Sequence, residues 1–199
     1  MSLDEVLRSA ARLQELVPDA VLVGGTAAAF YAGHRDSTDH DHVVADLSDR
    51  FDAVLEALES DPGRVLNRRR PIEAQTVEID EGTSLIVPTA AEALRIKAYL
   101  IVKRNQTRDF PDVAALSDRF GTDWSAGVLA GIDDYYDAAP GGGTAVASQL
   151  VRQLGEPRPK DHRTTGQLST YKDLAARWHS WQSVTAQCQA LADAMLETP

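Results

Sequence analysis

Apolar residues recur at Leu3, Val6, Leu7, Ala10, Leu13 and Leu16, which is one face of a helix. Pro18 stops that helix. The short apolar run Ala20 to Val23 ends at Gly24-Gly25 and predicts a buried strand. Thr26 then stands where a cap is expected for a small-residue helix, Ala27 to Ala32, closed by Gly33. Alternation over 38–45 predicts a strand, and Ser48 or Asp49 opens a helix through Leu58. Val65 to Leu66, Glu73 to Ile79 and Leu85 to Val87 predict strands, the last two joined by the turn Asp80-Glu81-Gly82. Thr89, with Glu92 in capping-box position, starts a helix to about Lys103. Another helix is expected from Asp109 to Phe120.

Beyond Gly121 the texture changes. Asp123 to Asp137 reads as helical, Pro140-Gly141-Gly142-Gly143 as a flexible joint, and Glu156 to Gly166 as a polar surface connector. Trp178, Trp181, Val184, Cys188, Leu191 and Met195 follow at steps of three and four, a packing stripe on a last helix. The expected fold class is α+β: a mixed β-sheet flanked by helices over residues 1–120, with a helical C-terminal region, 121–199, packed on it.

Composition narrows the function classes. The 199 residues suffice for a sizeable core, and 43% apolar with 25% charged residues is ordinary for a globular chain. No stretch approaches the roughly 20 apolar residues that span a bilayer. The amphipathic, acidic start of the chain does not look like a signal peptide. With one cysteine, Cys188, no internal disulfide forms, which agrees with a cytoplasmic location and no membrane partner. The net charge of −10 argues against a general nucleic-acid coat. The charge is uneven, however. Residues 64–108 carry 9 basic against 5 acidic side chains, so this basic middle is where an anionic ligand is expected.

Two elements carry candidate chemistry. Gly24-Gly25 after a strand lets an oxyanion approach bare backbone N–H groups at a helix start; a ligand-free tight turn is the plain alternative. Asp39 and Asp41, alternate residues of a strand, share a face, and hard cations such as Mg²⁺ suit paired carboxylates; a solvated acidic loop is the plain alternative. His40 and His42 face the other way, with no cysteine or second histidine pair to complete a zinc site. Arg64, Arg68, Arg69 and Arg70 form a basic cluster, equally readable as a phosphate-touching edge or a solvated loop.

Taken together, the glycine pair, the 13 residues 26–38 and the Asp-x-Asp resemble the polymerase-β-like nucleotidyltransferases. Within them, Val23-Gly-Gly-Thr26, His34-Arg35-x-Ser37-x-Asp39-x-Asp41, and Lys97 followed by Arg108-Asp109-x-x-Asp112 are similar to the AbiEii/MenT toxin branch over roughly residues 20–120. The resemblance implies two Mg²⁺ on Asp39 and Asp41, with Glu78 or Asp80 as a third carboxylate. It implies nucleotide phosphates on Gly24, Gly25, Thr26, Ser37 and Lys97, and Asp112 as a further catalytic residue. Asp109 would pair with Arg108 or Arg104 and hold two helices together. The implied activity is transfer of a nucleotide from a nucleoside triphosphate to the 3′ end of tRNA, with a cognate antitoxin as partner. The alternatives are an aminoglycoside-type small-molecule nucleotidyltransferase and a non-catalytic nucleotide-binding module.

Overall fold

The computed structural model describes residues 2–44, 70–137, 144–171 and 173–198. The helix expected to end at Leu58, the strand at 65–66, Arg64, Arg68, Arg69 and the glycine joint at 140–143 lie outside them.

Helix α1 (Leu3–Leu16) starts at a capping box. The Glu5 N–H donates to Ser2 Oγ, and the Ser2 N–H donates to Glu5 Oε2 at 2.7 Å. Its buried face is Val6, Leu7, Ala10, Ala11 and Gln14, while Leu16, expected on that face, is 68% exposed. Among the described residues Gln14 takes the place of a strand neighbour on this side of Ile86. It donates to the Ile86 carbonyl at 2.8 Å and accepts from the Ile86 N–H at 2.7 Å, so one edge of the sheet is satisfied by a helix side chain.

Strand β1 (Val21–Val23) feeds directly into helix α2 (Gly24–Ala32). Gly24 and Gly25 are therefore the first turn of the helix rather than a loop ahead of it. Thr26 lies inside that helix and does not cap it. Gly33, at φ 56°, closes it in the left-handed region. Strand β2 (Asp41–Val43) pairs antiparallel with β1, placing Val23 opposite Asp41 and Leu22 opposite His42. It is shorter than the eight residues predicted, and Asp39 precedes it.

The predicted hairpin is present as β3 (Ala74–Asp80) and β4 (Thr83–Pro88), with a register shift between Glu78 and Asp80. Among the described residues the strands form two separate two-stranded antiparallel ladders.

Helix α3 (Ala90–Arg104) is capped by Thr89, whose hydroxyl accepts from the Glu92 N–H at 3.2 Å. It ends at Asn105 in the left-handed region. Helices α4 (Asp109–Phe120) and α5 (Thr122–Ala130) follow, joined at Gly121. The span expected to stay helical to Asp137 breaks after Ala130 into a single 3₁₀ turn, Ile132–Asp134.

Helix α6 (Val146–Gly155) was not foreseen. Its signal is nevertheless present: Val146, Leu150 and Leu154, four apart, are all fully buried. The preceding glycine run drew attention to a joint and hid the helix behind it. A 3₁₀ segment (His162–Thr170) lies in the expected connector. The last helix, α7 (Trp181–Glu197), buries Val184, Cys188, Leu191 and Met195 of the expected stripe, whereas Trp178, also buried, lies ahead of it in a 3₁₀ turn, Ala176–Trp178.

One apolar cluster runs from Val23 through α3, α4, α5 and α6 to Met195, with Tyr99 and Tyr136 stacked at 4.1 Å inside it. A second cluster joins Leu7, Ala10, Leu22, Leu85 and Val87. Strand β1 divides them. Val23 faces the helical core, and Leu22 faces α1 and the hairpin.

Burial pushes the Cys188 thiol up to about 12. Because the thiolate is the reactive form, a maleimide is expected to leave Cys188 unmodified in native buffer and to label it fully in denaturant. Rapid stoichiometric labelling of the native chain contradicts this packing.

Candidate functional site

The elbow between β1 and α2 is filled by the chain itself. Gly24 sits at φ 75°, and a Cβ built there would lie 2.4 Å from Asp41 Oδ2. A Cβ on Gly25 would lie 2.0 Å from Arg35 Nη2. Both glycines are thus required by close approach of internal side chains: a carboxylate at one and a guanidinium at the other. The β1–β2 register brings Asp41 there, opposite Val23. The N-cap residue, Val23, makes no side-chain capping bond, and the partial positive charge of the first turn favours a neighbouring carboxylate. Thr26 Oγ1 bonds to Ser37 Oγ at 2.7 Å and donates to the Asp39 carbonyl at 2.5 Å, while Ser37 Oγ reaches the same carbonyl at 3.1 Å. These two hydroxyls fix the loop that carries Asp39.

Behind the elbow lies a buried charge cluster centred on Asp112, which is fully buried on α4. Its carboxylate accepts from Arg35 Nε at 2.9 Å and Nη2 at 3.3 Å. His34 Nε2 lies at 2.7 Å and Lys97 Nζ at 2.7 Å. Burial pushes the Asp112 carboxyl up, but Arg35, Lys97 and the His34 bond outweigh it and hold the group well below the ordinary range. Burial likewise works against the Arg35 charge, and Asp112 more than restores it, so the guanidinium is raised above its ordinary value. One turn earlier, Asp109 accepts two bonds from Arg104 at 2.6 Å each. This pair ties the end of α3 to the start of α4.

The predicted site residues are therefore brought together, but most are turned toward one another. Lys97, expected to face an anionic ligand, is buried against Asp112 and lies 3.8 Å from Asp109. Arg95, in the same basic middle, is neutralised by Glu73 at 2.9 Å and Glu92 at 3.0 Å. The third-carboxylate candidates are engaged on the hairpin: Asp80 with Arg8 at 2.5 Å, Glu78 with the Gly82 N–H at 3.4 Å. Arg70, from the other basic cluster, lies over the Tyr135 ring. Asp39 and Asp41 are exposed. His34 and Arg35 had no role assigned from the sequence. Two bases directly after a helix-ending glycine, with an acidic helix start at 109–112 needing partners, were the signal.

Across β2 from Asp41, His42 and His40 point toward α1. Their Nδ1 atoms are 3.4 Å apart, with ring planes at 86°. Burial, and then the neighbouring His40, lower the His42 pKa to about 4, so that ring is uncharged near neutrality.

Part of several proteins named as transporters is similar to this chain. It is 34% identical to the heme uptake protein MmpL11 of Mycobacterium tuberculosis, over 96% of this chain and 22% of that protein. The mycolic acid-containing lipids exporter MmpL11 of Mycolicibacterium smegmatis is 32% identical, over 96% of the chain and 21% of its own length. The probable transport protein MmpL11 of Mycobacterium leprae is 36% identical over 74% of the chain. The chain thus spans about a fifth of the length of the curated relatives it matches. No family model matches, and no solved structure does.

These relatives overturn the resemblance to AbiEii/MenT nucleotidyltransferase toxins, and with it the enzymatic reading, the nucleoside triphosphate, tRNA and antitoxin partners, and the aminoglycoside-type and nucleotide-module alternatives. A likeness along 96% of the chain outweighs a few short motifs. The geometry gives the physical reason for the misreading. Gly24 and Gly25 admit Asp41 and Arg35, and Lys97 answers Asp112, so residues that suggest phosphate binding have partners within the fold.

Proposed function

We propose that this chain works as a folded module of a transport system that does not itself form the membrane passage. The observation that carries the reading is the match along nearly the whole chain to about a fifth of the MmpL11 proteins. Among the described residues no helix is long and apolar enough to cross a membrane, which suits a supporting role. We place the module in the cytoplasm, where a lone thiol stays reduced. The test is to delete the matching segment from a full-length MmpL11 relative and graft this chain in its place. Deletion is expected to lower transport without lowering the amount of membrane-inserted protein, and the graft to restore it. Unchanged transport after deletion, or no recovery with a folded graft, rejects the proposal.

The module's cation, in this proposal, is Mg²⁺ held by Asp39 and Asp41. Both carboxylates are exposed at the elbow, and Mg²⁺ commonly binds through one or two carboxylates while keeping its remaining waters. Among the described residues no group of three or more candidate ligands surrounds them, so water would have to fill the other positions of the ion. Bound there, the cation would neutralise negative charge on a loop that the Thr26 and Ser37 hydroxyls already hold. Titration with Mn²⁺, followed by its electron-spin signal, is expected to show one saturable site that Mg²⁺ displaces and that Asp41→Asn removes. Unaltered binding in Asp41→Asn excludes this placement.

A further inference from the structure

The face of β2 turned away from the elbow carries a second arrangement, independent of the transport reading. His40 Nδ1 and His42 Nδ1 approach to 3.4 Å with perpendicular rings. That separation is at the long end for a hydrogen bond. It matches what two imidazole ligands of one ion require: nitrogens at ~2.0–2.1 Å from a tetrahedral centre stand ~3.3–3.4 Å apart. The other nitrogen of His40, Nε2, lies 3.2 Å from Ser9 Oγ on α1. A bond from Nε2–H to that hydroxyl leaves the Nδ1 lone pair directed at His42, the outer-shell support that metal-binding histidines generally have. His42 Nε2 is buried without a hydrogen-bond partner.

The geometry points to a two-histidine chelate for a borderline divalent cation, Zn²⁺ or Cu²⁺, bound by His40 Nδ1 and His42 Nδ1 with its other positions filled by water. Imidazole nitrogen favours these ions over Mg²⁺, which favours oxygen, so this site and the carboxylates on the opposite face of β2 select different metals. Ser9 acts through His40 as a positioning residue. His42 lies on β2, and His40 directly precedes it, held by its bond to Ser9.

The experiment uses the full chain with Zn²⁺ and Cu²⁺ as probes. One equivalent of Cu²⁺ is expected to give a spin-resonance spectrum with hyperfine coupling to two nitrogens. One equivalent of Zn²⁺ is expected to move the Nδ1 resonances of both rings in a long-range proton–nitrogen spectrum while leaving both as Nε2–H tautomers. His40→Ala and His42→Gln should each abolish the two-nitrogen signal. Ser9→Ala should weaken binding by ~10-fold or more, the usual loss for an outer-shell partner. His162→Ala should leave binding unchanged, and circular dichroism confirms that each variant is folded. Cu²⁺ or Zn²⁺ binding that survives His40→Ala and His42→Gln overturns the proposal. Loss in Asp41→Asn with retention in the histidine variants does so too, because it assigns the ion to the carboxylate face.

Discussion

Asp112→Asn is expected to destabilise the protein by about 3–5 kcal/mol, the usual consequence of removing one partner from a buried ionic group. The carboxylate is the shared anion of Arg35 and Lys97 and also contacts His34, and all four side chains are almost completely buried. An amide of the same shape keeps the volume but takes the carboxylate from Arg35 and leaves Lys97 only the more distant Asp109, at 3.8 Å. Chemical denaturation at neutral pH measures the loss, and a cost below about 1 kcal/mol, the level of an ordinary surface change, is incompatible with the cluster described. Lys97→Met in the same chain should recover part of the loss, since one of the stranded charges is then gone.

The pH dependence of this effect has a definite sign. The folded Asp112 carboxyl is held well below its unfolded value, which is about 3.9. Its contribution is therefore fully present above that unfolded value and is lost as the pH falls toward the folded one. The stability gap between the native chain and Asp112→Asn should be widest near neutrality and should narrow as the medium is acidified below about pH 4. A gap that widens in acid contradicts the charge assignment.

Much of the helical framework was legible because amphipathic spacing survives without knowledge of the partners. The α1, α4 and α7 faces are set by apolar residues at steps of three and four, and the hairpin by the turn at Asp80-Glu81-Gly82. The site was legible as a set of residues but not as a function. The resemblance grouped Gly25, Asp41, Lys97 and Asp112 at one site. It does not say whether a cation faces a ligand or a buried carboxylate 2.7 Å away. Thr26 shows the same limit: its hydroxyl suits a helix cap, yet tertiary contacts to Ser37 and the Asp39 carbonyl engage it from inside the helix. Exposure separates these alternatives, and exposure depends on packing partners distant in the sequence.

Gly25→Ala gives the second large expected effect and tests whether the elbow and the charge cluster are one structure. Alanine at this position has no backbone objection of its own, and in a helix it is normally better than glycine by roughly 0.5–1 kcal/mol. Here its methyl would stand 2.0 Å from Arg35 Nη2, so the guanidinium must withdraw from a carboxylate to which it makes two bonds. Crowding of about 1–3 kcal/mol and weakened charge-assisted bonds then exceed the helix gain, and a net loss of about 2–4 kcal/mol is expected. The decisive measurement is the double-mutant cycle with Arg35→Ala, which empties the space the methyl needs. In that background Gly25→Ala should become neutral or stabilising, because only the helix preference remains. If Gly25→Ala costs the same with and without the Arg35 side chain, the glycine is required for some other reason. The glycine pair would then have to be explained by something that approaches it from outside the chain.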